Sequence, residues 1–239
     1  MWYCYEMHAH SAQCSACAVS TSLEQVRAFH QAGYAGLVLT DHFIYGNTCV
    51  PRELPWEERM RRYYASYEEA KAEGERLDFD VLFGLEHAYG DGKEVLLYGI
   101  GLDFLLDNPD IPRLPLEGIV ERVHAYGGLV VQAHPFRDRP YINMAVQPKP
   151  WLLDGAEVYN CGNHPEDEPP AIAMVKEHGL IPTSGSDIHN VKREPVGRAG
   201  LAFPHRVRTN RELVQALQAR EGKLIIEGEI REDYMDANA

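Results

Sequence analysis

The chain has 239 residues, 45% of them hydrophobic, with 36 acidic and 23 basic side chains and a formal net charge of −13. That length holds one sizeable α/β domain with a real core, and the acidic balance argues against non-specific nucleic-acid binding and against a basic membrane-surface helix. It leaves an anionic substrate open, because metals and a few arginines can reverse the field inside a cleft. No apolar run approaches the length of a membrane span. No basic region followed by an apolar core opens the chain, so no signal peptide is expected. Five cysteines, an odd number without a small-scaffold pattern, fit a reducing cytoplasm. Cys14 and Cys17 form a CxxC, but there is no second CxxC for a zinc ribbon, and this one lies in a small-residue loop.

The elements alternate. Met1 to Tyr5 is aromatic and strand-prone and runs into Glu6-Met7-His8-Ala9-His10. Side chains two apart on a strand share a face, so His8 and His10 project together with Glu6. A small-residue loop reaches Ser20-Thr21-Ser22, where Thr21 and Glu24 fit a capping box. The helix it opens stops at Gly33. Ala35 to Thr40 is a buried strand ending in Asp41-His42, followed by a long loop from Phe43 to about Pro55. A charged, aromatic helix spans Trp56 to Leu77. Asp80 to Leu85 is a strand ending in Glu86-His87, and Glu94 to Ile100 is another. A proline-rich connection (Pro109, Pro112, Pro115) leads to a helix from Leu116 to Tyr126. Leu129 to Ala133 is a strand ending in His134-Pro135, with a loop to Pro150. Ala156 to Asn160 is a strand, Pro169 to His178 a helix, and Ile181 to Ser184 leads into Gly185-Ser186-Asp187-Ile188-His189. A strand near Leu201, a helix from Asn210 to Arg220, a strand from Leu224 to Glu227 and a solvated acidic tail complete the chain.

About seven strand–helix alternations predict a parallel α/β fold, with one domain over residues 1–239 and no linker or repeat to divide it. Polar residues recur at many strand ends and not at a single switch point, which favours a barrel over a doubly wound sheet. Five of these ends carry imidazoles or carboxylates: His8/His10, Asp41-His42, Glu86-His87, His134-Pro135 and Asp187-Ile188-His189. On one rim such groups need partners, and a cluster of divalent metals satisfies them together.

The ordered set HxH, TDH, GxE, AHP, SDxH resembles the polymerase and histidinol phosphatase (PHP) family of metal-dependent phosphoesterases, and the likeness spans His8 to His189. The resemblance implies a distorted (β/α)7, TIM-like barrel holding two or three divalent metals, commonly zinc, manganese or iron. It implies that His8, His10, Glu86 and Asp187 hold one metal, that Glu86 bridges to a second bound by His134, and that His42 and His189 bind a third. Further ligands in the family come from the first loop and from positions around the AHP strand. Here the first loop offers Cys14, Ser15 and Cys17 where an Asp or His is common. Cys17 is either a thiolate ligand or, with Cys14, a small packing residue. Glu6 stands where many members have Asp, and could hydrogen-bond a ligand histidine; Asp41 and Glu157 are also expected to support ligands rather than be ligands. His87 would point away from the site if its strand continues.

Phosphoester hydrolysis needs a nucleophile at neutral pH and relief of charge on phosphate oxygens, both of which metals supply. Glu86, Asp187 and His189 are the candidate catalytic residues; Asp187 or His189 could also manage a proton, a role the sequence does not assign. Arg137 and Arg198, then Lys192 and Arg193, are the candidate phosphate clamp. The expected activity is hydrolysis of a small phosphorylated metabolite in the cytoplasm, with a monoester preferred. The alternatives are a phosphodiesterase or exonuclease, disfavoured by the lack of a basic groove, and a non-catalytic metal-binding regulatory module.

Overall fold

The computed structural model describes residues 1–237. In chain order the elements are β1 (Tyr3–Ala9), α1 (Ser22–Gln31), β2 (Gly36–Leu39), α2 (Trp56–Leu77), β3 (Asp80–Gly90), β4 (Lys93–Tyr98), α3 (Leu102–Asp107), α4 (Leu116–Ala125), β5 (Leu129–Gln132), β6 (Gly155–Asn160), α5 (Glu168–His178), β7 (Ile181–Gly185), β8 (Ala199–Phe203), α6 (Asn210–Gln218), β9 (Lys223–Ile226), β10 (Glu229–Arg231) and α7 (Tyr234–Ala237). The strands form one sheet in the order β10-β9-β8-β1-β2-β3-β4-β5-β6-β7.

The sheet curls into a half-barrel. Beyond β7, the segment holding Ile188 pairs in parallel with Ala9 at the end of β1. The two edges of the site therefore meet. The expected all-parallel, seven-unit barrel is corrected on one point. β3, β4 and β5 run antiparallel in succession, and β8 is antiparallel to β1 and β9. The cause is local. Gly90, Asp91 and Gly92 all have positive φ (119°, 55° and 74°), so the chain reverses in a tight hairpin with no room for a crossover helix.

Short-range signals place most elements. The Thr21–Glu24 capping box forms and starts α1, and a second one, Thr209 with Glu212, starts α6. Gly179 adopts a left-handed conformation after α5. β3 continues past its expected end, so Glu86 and His87 lie within the strand. The acidic tail is not simply solvated: β10 pairs with β9 and Tyr234 is buried. Residues 238 and 239 of that tail lie outside the described residues. Among the described residues no helix is long and apolar enough to cross a membrane.

Alternation on β2 divides the core. Leu37 and Leu39 pack with Val26 and Phe29 of α1 and Ala70 of α2, while Val38 joins the larger cluster with Leu82 and Leu96. Polar pins then fix the strands against one another. The Tyr5 hydroxyl donates to Asp80 Oδ2 at 2.6 Å and accepts the Val207 N–H at 2.8 Å. The Tyr98 hydroxyl donates to the Met7 carbonyl at 2.9 Å.

Close approach beside Tyr5 demands a glycine. A Cβ on Gly36 would fall on the Asp80 carbonyl oxygen and within 2.5 Å of Tyr5 Cε1. Gly36→Ala is expected to lower stability by about 1–3 kcal/mol, the usual range for overpacking. Urea unfolding should show a reduced midpoint with an unchanged slope; an unaltered midpoint would show that β1 and β2 do not approach this closely.

Candidate metal centre

Backbone pairing delivers the site residues to one place. His10 N–H donates to the Ile188 carbonyl at 3.0 Å, which sets Asp187 and His189 beside the HxH strand. Beyond β2, the chain forms a parallel bridge between His42 and Glu86; Glu86 N–H donates to Asp41 O and Phe43 N–H to Glu86 O, at 3.0 and 2.8 Å. His134 lies two residues beyond the end of β5. Gly185 allows the closure, because a Cβ there would lie 2.6 Å from His8 Cβ and 2.5 Å from Glu157 Oε1. His134 and Asp187 both have positive φ, 27° and 56°. Such non-glycine conformations persist where surroundings over-determine them, and they cluster at functional sites.

Glu86 is fully buried at the centre. Its Oε1 lies 3.3 Å from His8 Nε2 and 3.1 Å from His134 Nε2. Its Oε2 lies 2.7 Å from His42 Nδ1 and 3.6 Å from His10 Nε2. Asp187 Oδ1 is 3.4 Å from His8 Nε2 and 3.1 Å from His10 Nε2. The His10 and His189 rings stack with centroids 4.2 Å apart. Four groups bring their ligand atoms within 4.8 Å of one another: His10/His42/His189, His8/His10/Asp187, His8/Glu86/His134 and His42/Glu86/Glu94.

The partners of the outer ring nitrogens fix the tautomers. His8 Nδ1 is 3.0 Å from Glu157 Oε1, and His189 Nδ1 is 2.7 Å from the Asp187 carbonyl. Both partners are acceptors, so both Nδ1 atoms carry the proton. Ser15 Oγ donates to Asp41 Oδ1 at 2.7 Å and accepts the His42 N–H; it therefore accepts from His10 Nδ1 as well, at 3.1 Å. The Nε2 atoms of these three rings are left as bare lone pairs. Among the described residues His8 Nε2, His10 Nε2, His42 Nδ1 and Glu86 Oε2 are buried with no hydrogen-bond partner. Orphaned buried atoms of this kind carry a desolvation penalty. All four face one another, and all are ligand types for a divalent metal. The residues present fit such a metal.

The electrostatics agree. Burial opposes charge on His8, but the carboxylates of Glu157, Asp187 and Glu86 outweigh it and hold the ring well above the usual imidazole range. Burial likewise opposes charge on Glu86, yet His8 and His42 keep its carboxyl well below the usual range. Glu94 goes the other way. Burial, then the charge of Glu86, pushes it up to about 8. Wherever these carboxylates hold a proton on a neighbouring ring, a metal cation can take the proton's place.

The structure brings His8, His10, His42, Glu86, His134, Asp187 and His189 together. Glu157 also accepts the His134 N–H through Oε2, at 2.9 Å. Asp41 accepts Ser11 N–H and Ser11 Oγ–H, at 2.5 and 2.7 Å, so it holds the first loop under the site. Glu6 differs from expectation: its Oε1 accepts the backbone N–H groups of Met7, His8 and Ser186 at 2.8–2.9 Å and touches no imidazole. It steadies the backbone of the HxH strand. Cys14 is buried and donates to the Tyr63 carbonyl. Cys17 is exposed and faces His42 and His189; burial raises its pKa, but those two rings outweigh this and pull it down to about 6. His87 is buried on the opposite side, against Phe43.

Above the cluster opens a cavity of about 770 Å³. Its walls include Cys17, His42, Glu94, His134, Arg137, Asp187 and His189, with Tyr45, Asn47, Asp91 and Tyr141 at the rim. Arg137 is buried and donates to Asp187 Oδ2 and Asn160 Oδ1 at 2.6 Å each and to Asn163 Oδ1 at 2.9 Å. The other expected clamp residues lie outside the cavity walls and are corrected. Arg198 pairs with Glu227 and exposed Lys192 pairs with Glu24, while Arg193 is solvent-exposed. Their loop folds against α1 and the β9–β10 turn, away from the pocket.

Sequence reasoning missed Glu94. Its Oε1 lies 3.6 Å from His42 Nδ1 and its Oε2 3.6 Å from His134 Nε2. One signal was present: a carboxylate opening the apolar run Val95 to Tyr98. Opposite Ala88 in the hairpin register, it shares the face of Glu86. Ser15 and Asn160 were also missed, because each acts through another side chain.

No protein-family model and no curated protein matches the sequence. Solved structures share its fold. A two-domain protein from Bacteroides vulgatus, described as containing a predicted PHP-like metal-dependent phosphoesterase, aligns over 100% of this chain and 69% of its own, with TM-score 0.72 and 16% identity. Endonuclease Q, complexed with a 27-mer duplex carrying an abasic lesion, aligns over 92% of this chain and 57% of its own, with TM-score 0.62 and 14% identity. An amidohydrolase from Chromobacterium violaceum with bound sulfate and no metal aligns over 98% and 99%, with TM-score 0.56 and 17% identity. At these identities the likeness is one of fold, and that fold is shared with a PHP-like phosphoesterase, as the five motifs implied.

Glu157 gives a direct test of the tautomer argument. Glu157→Ala frees the His8 ring and is expected to weaken divalent-metal affinity by about 10–100-fold, the usual effect of removing a ligand's supporting partner. Competition with a chromophoric chelator measures this, and unchanged affinity would remove Glu157 from the ligand support.

Proposed function

We propose that this chain is a divalent-metal-dependent phosphoesterase that hydrolyses a small phosphorylated metabolite in the cytoplasm, with a monoester preferred. The observation that carries the reading is the set of buried, unpartnered ligand atoms on His8, His10, His42 and Glu86, which face one another below the cavity. His8, His10, Glu86 and Asp187 would hold one metal, with Glu86 and His134 next to it and His42 and His189 on the other side. Metals bound there supply a hydroxide nucleophile at neutral pH and charge relief on phosphate oxygens.

The chain's own groups complete the chemistry. Arg137 spends three of its five N–H donors on Asp187, Asn160 and Asn163. The remaining two serve a phosphate in the cavity, and the guanidinium is already oriented before one arrives. Asp187 and His189 stand in the cavity wall, placed to hold or pass a proton at a substrate oxygen. Five cysteines, all free, suit a reducing compartment.

A second reading is phosphodiester cleavage, supported by the likeness to Endonuclease Q in complex with a DNA duplex. The charge pattern favours the first. Arg137 is the one Lys or Arg in the cavity wall among the described residues, whereas a nucleic-acid backbone calls for a row of cations.

Glu86→Ala should abolish tight metal binding and lower kcat on an aryl phosphate by about 10²–10³-fold or more. Wild-type rates in the variant would sink the reading. Arg137→Ala should raise KM for phosphate esters by about 10–100-fold, the scale of a lost hydrogen bond to a charged group. It should also weaken metal binding, since Arg137 orients Asp187; an unchanged KM would remove it from the clamp. Comparing monoester with diester substrates on the metal-loaded protein separates the two readings, and faster turnover of diesters favours the second.

A further inference from the structure

The imidazoles and carboxylates gather at the buried end of the cavity, and the rest of its wall has a different character. A volume of about 770 Å³ lies in the range that takes up a whole organic ligand, well beyond what a phosphate group fills. Outward from Glu86, one side of the cavity is nearly bare of side chains. Ala88 is two residues on from Glu86 and shares its face, opposite Glu94 in the hairpin register. Gly90 lines the wall next to it. Tyr89, between them, turns away and donates to Gln132 Oε1 at 3.0 Å. A Cβ added at Gly90 would meet nothing within 4 Å, so the space over this end of the hairpin is open.

Two tyrosines from different loops border this bare floor. Tyr45 follows β2 and Tyr141 follows β5; both stand in the cavity wall, and they are 55% and 66% exposed. A single exposed aromatic carries little meaning. These two differ because the backbone under each is pinned. Gly46 N–H donates to Phe43 O and Ala16 N–H to Asn47 O, each at 2.7 Å, and Phe43 and Ile44 are buried. Asn143 N–H donates to Asp91 O at 2.9 Å and its Nδ2 to Asp91 Oδ1 at 3.2 Å. Gly92 lets that loop lie on the hairpin, since a Cβ there would come within 2.7 Å of Tyr141 O. Charge narrows the choice of ligand further. Arg137 is the one Lys or Arg in the wall among the described residues, and Asp91 and Glu94 share that wall, so a second anionic group would find no counter-charge. Building on the phosphoesterase reading proposed above, we infer that Tyr45, Tyr141 and the floor at Ala88 and Gly90 form the leaving-group subsite. The substrate is then a phosphomonoester of an alcohol that carries a flat, uncharged ring system and no second anionic group. The ring lies over the bare floor, where its faces and edges meet the two tyrosines, while the phosphate points to Arg137.

A matched pair of esters tests the subsite. 2-Naphthylmethyl phosphate and its fully saturated counterpart share one carbon skeleton and a primary alcohol as leaving group, so they differ in the flatness of the ring and little in chemistry. Phosphate release by the metal-loaded full chain gives kcat and KM for each. The flat ester should have the higher kcat/KM by about tenfold or more, with the difference in KM. Tyr45→Ala and Tyr141→Ala should each reduce that preference by about 2–10-fold, and Tyr45→Phe and Tyr141→Phe should keep it. Ala88→Leu, which puts a side chain on the floor, should also reduce it. Trp151→Ala should leave it as it is, because Trp151 is 71% exposed but outside the cavity wall. A sulfonate on the distal ring of the flat ester should raise KM about tenfold or more. Equal kcat/KM for the two esters, or a preference that survives in the Tyr45→Ala/Tyr141→Ala double variant, overturns the subsite and leaves the phosphoesterase reading standing. An unchanged KM for the sulfonated ester overturns the exclusion of a second anion. Metal-loaded protein that releases phosphate from neither ester nor from an aryl phosphate overturns the phosphoesterase reading, and this inference with it.

Discussion

A fully buried carboxylate, Glu86, is the constraint on which the rest of the site depends. An ionised group deep in a protein carries a penalty of several kcal/mol unless charges and hydrogen bonds compensate it. Four imidazoles approach its two oxygens within 3.6 Å. They come from three separate places in the chain, so the compensation exists only if the sheet curls. That requirement accounts for the parallel pairing of the Ile188 segment with β1, for the bridge between His42 and Glu86, and for the glycine at 185 that permits the approach. It also accounts for the extension of β3 beyond Leu85, because a strand that stopped there would leave Glu86 without the β4 hairpin that shields it.

A ring of supporting groups fixes the tautomers of these histidines and leaves lone pairs facing one another, as metal ligands would require. Glu157 and Ser15 each fix a proton on an outer ring nitrogen, and Asp41 fixes Ser15 in turn. The same supports hold the strained backbone. His134, at positive φ, donates its N–H to Glu157, and Asp187, also at positive φ, is gripped by Arg137. Such strain costs on the order of 1–3 kcal/mol per residue. It is sustained here because each residue is tied down at both backbone and side chain.

How much of this was legible in the sequence follows from the range of each interaction. Capping boxes, glycine stops and apolar runs act over a few residues, and they located α1, α2, α5 and most of the strands, though not β10, which was read as a solvated tail. The convergence of His8, His10, His42, Glu86, His134, Asp187 and His189 was legible because each sits in or beside a strand and belongs to an ordered set. The antiparallel turn at Gly90 to Gly92 was legible in principle, since a glycine-rich pair of reversals cannot host a helix, and weighing it would have replaced the seven-unit barrel with a mixed sheet. Glu94 depended on that same hairpin register and was lost with it. Arg198, Lys192 and Arg193 were misjudged because proximity in sequence to His189 does not say which way a loop folds. Glu24 and Glu227, far off in sequence, take two of those three cations.

The charge of the pocket determines how an anionic substrate can enter. Asp91, Glu94 and Asp187 line the cavity, Glu86 lies beneath it, and Arg137 is the one Lys or Arg in the cavity wall among the described residues. Part of the Arg137 charge is already committed to Asp187. A phosphate approaching this surface meets carboxylates of its own sign, in a protein whose net charge is −13. Divalent cations bound among the carboxylates reverse that field locally while leaving the exterior acidic. On the proposed reading, metal loading would therefore supply charge relief as well as a nucleophile, and metal would bind before a phosphate substrate. The acidity of the chain, which argued against non-specific nucleic-acid binding and left an anionic substrate open, would on this reading make binding of such a substrate conditional on the metals.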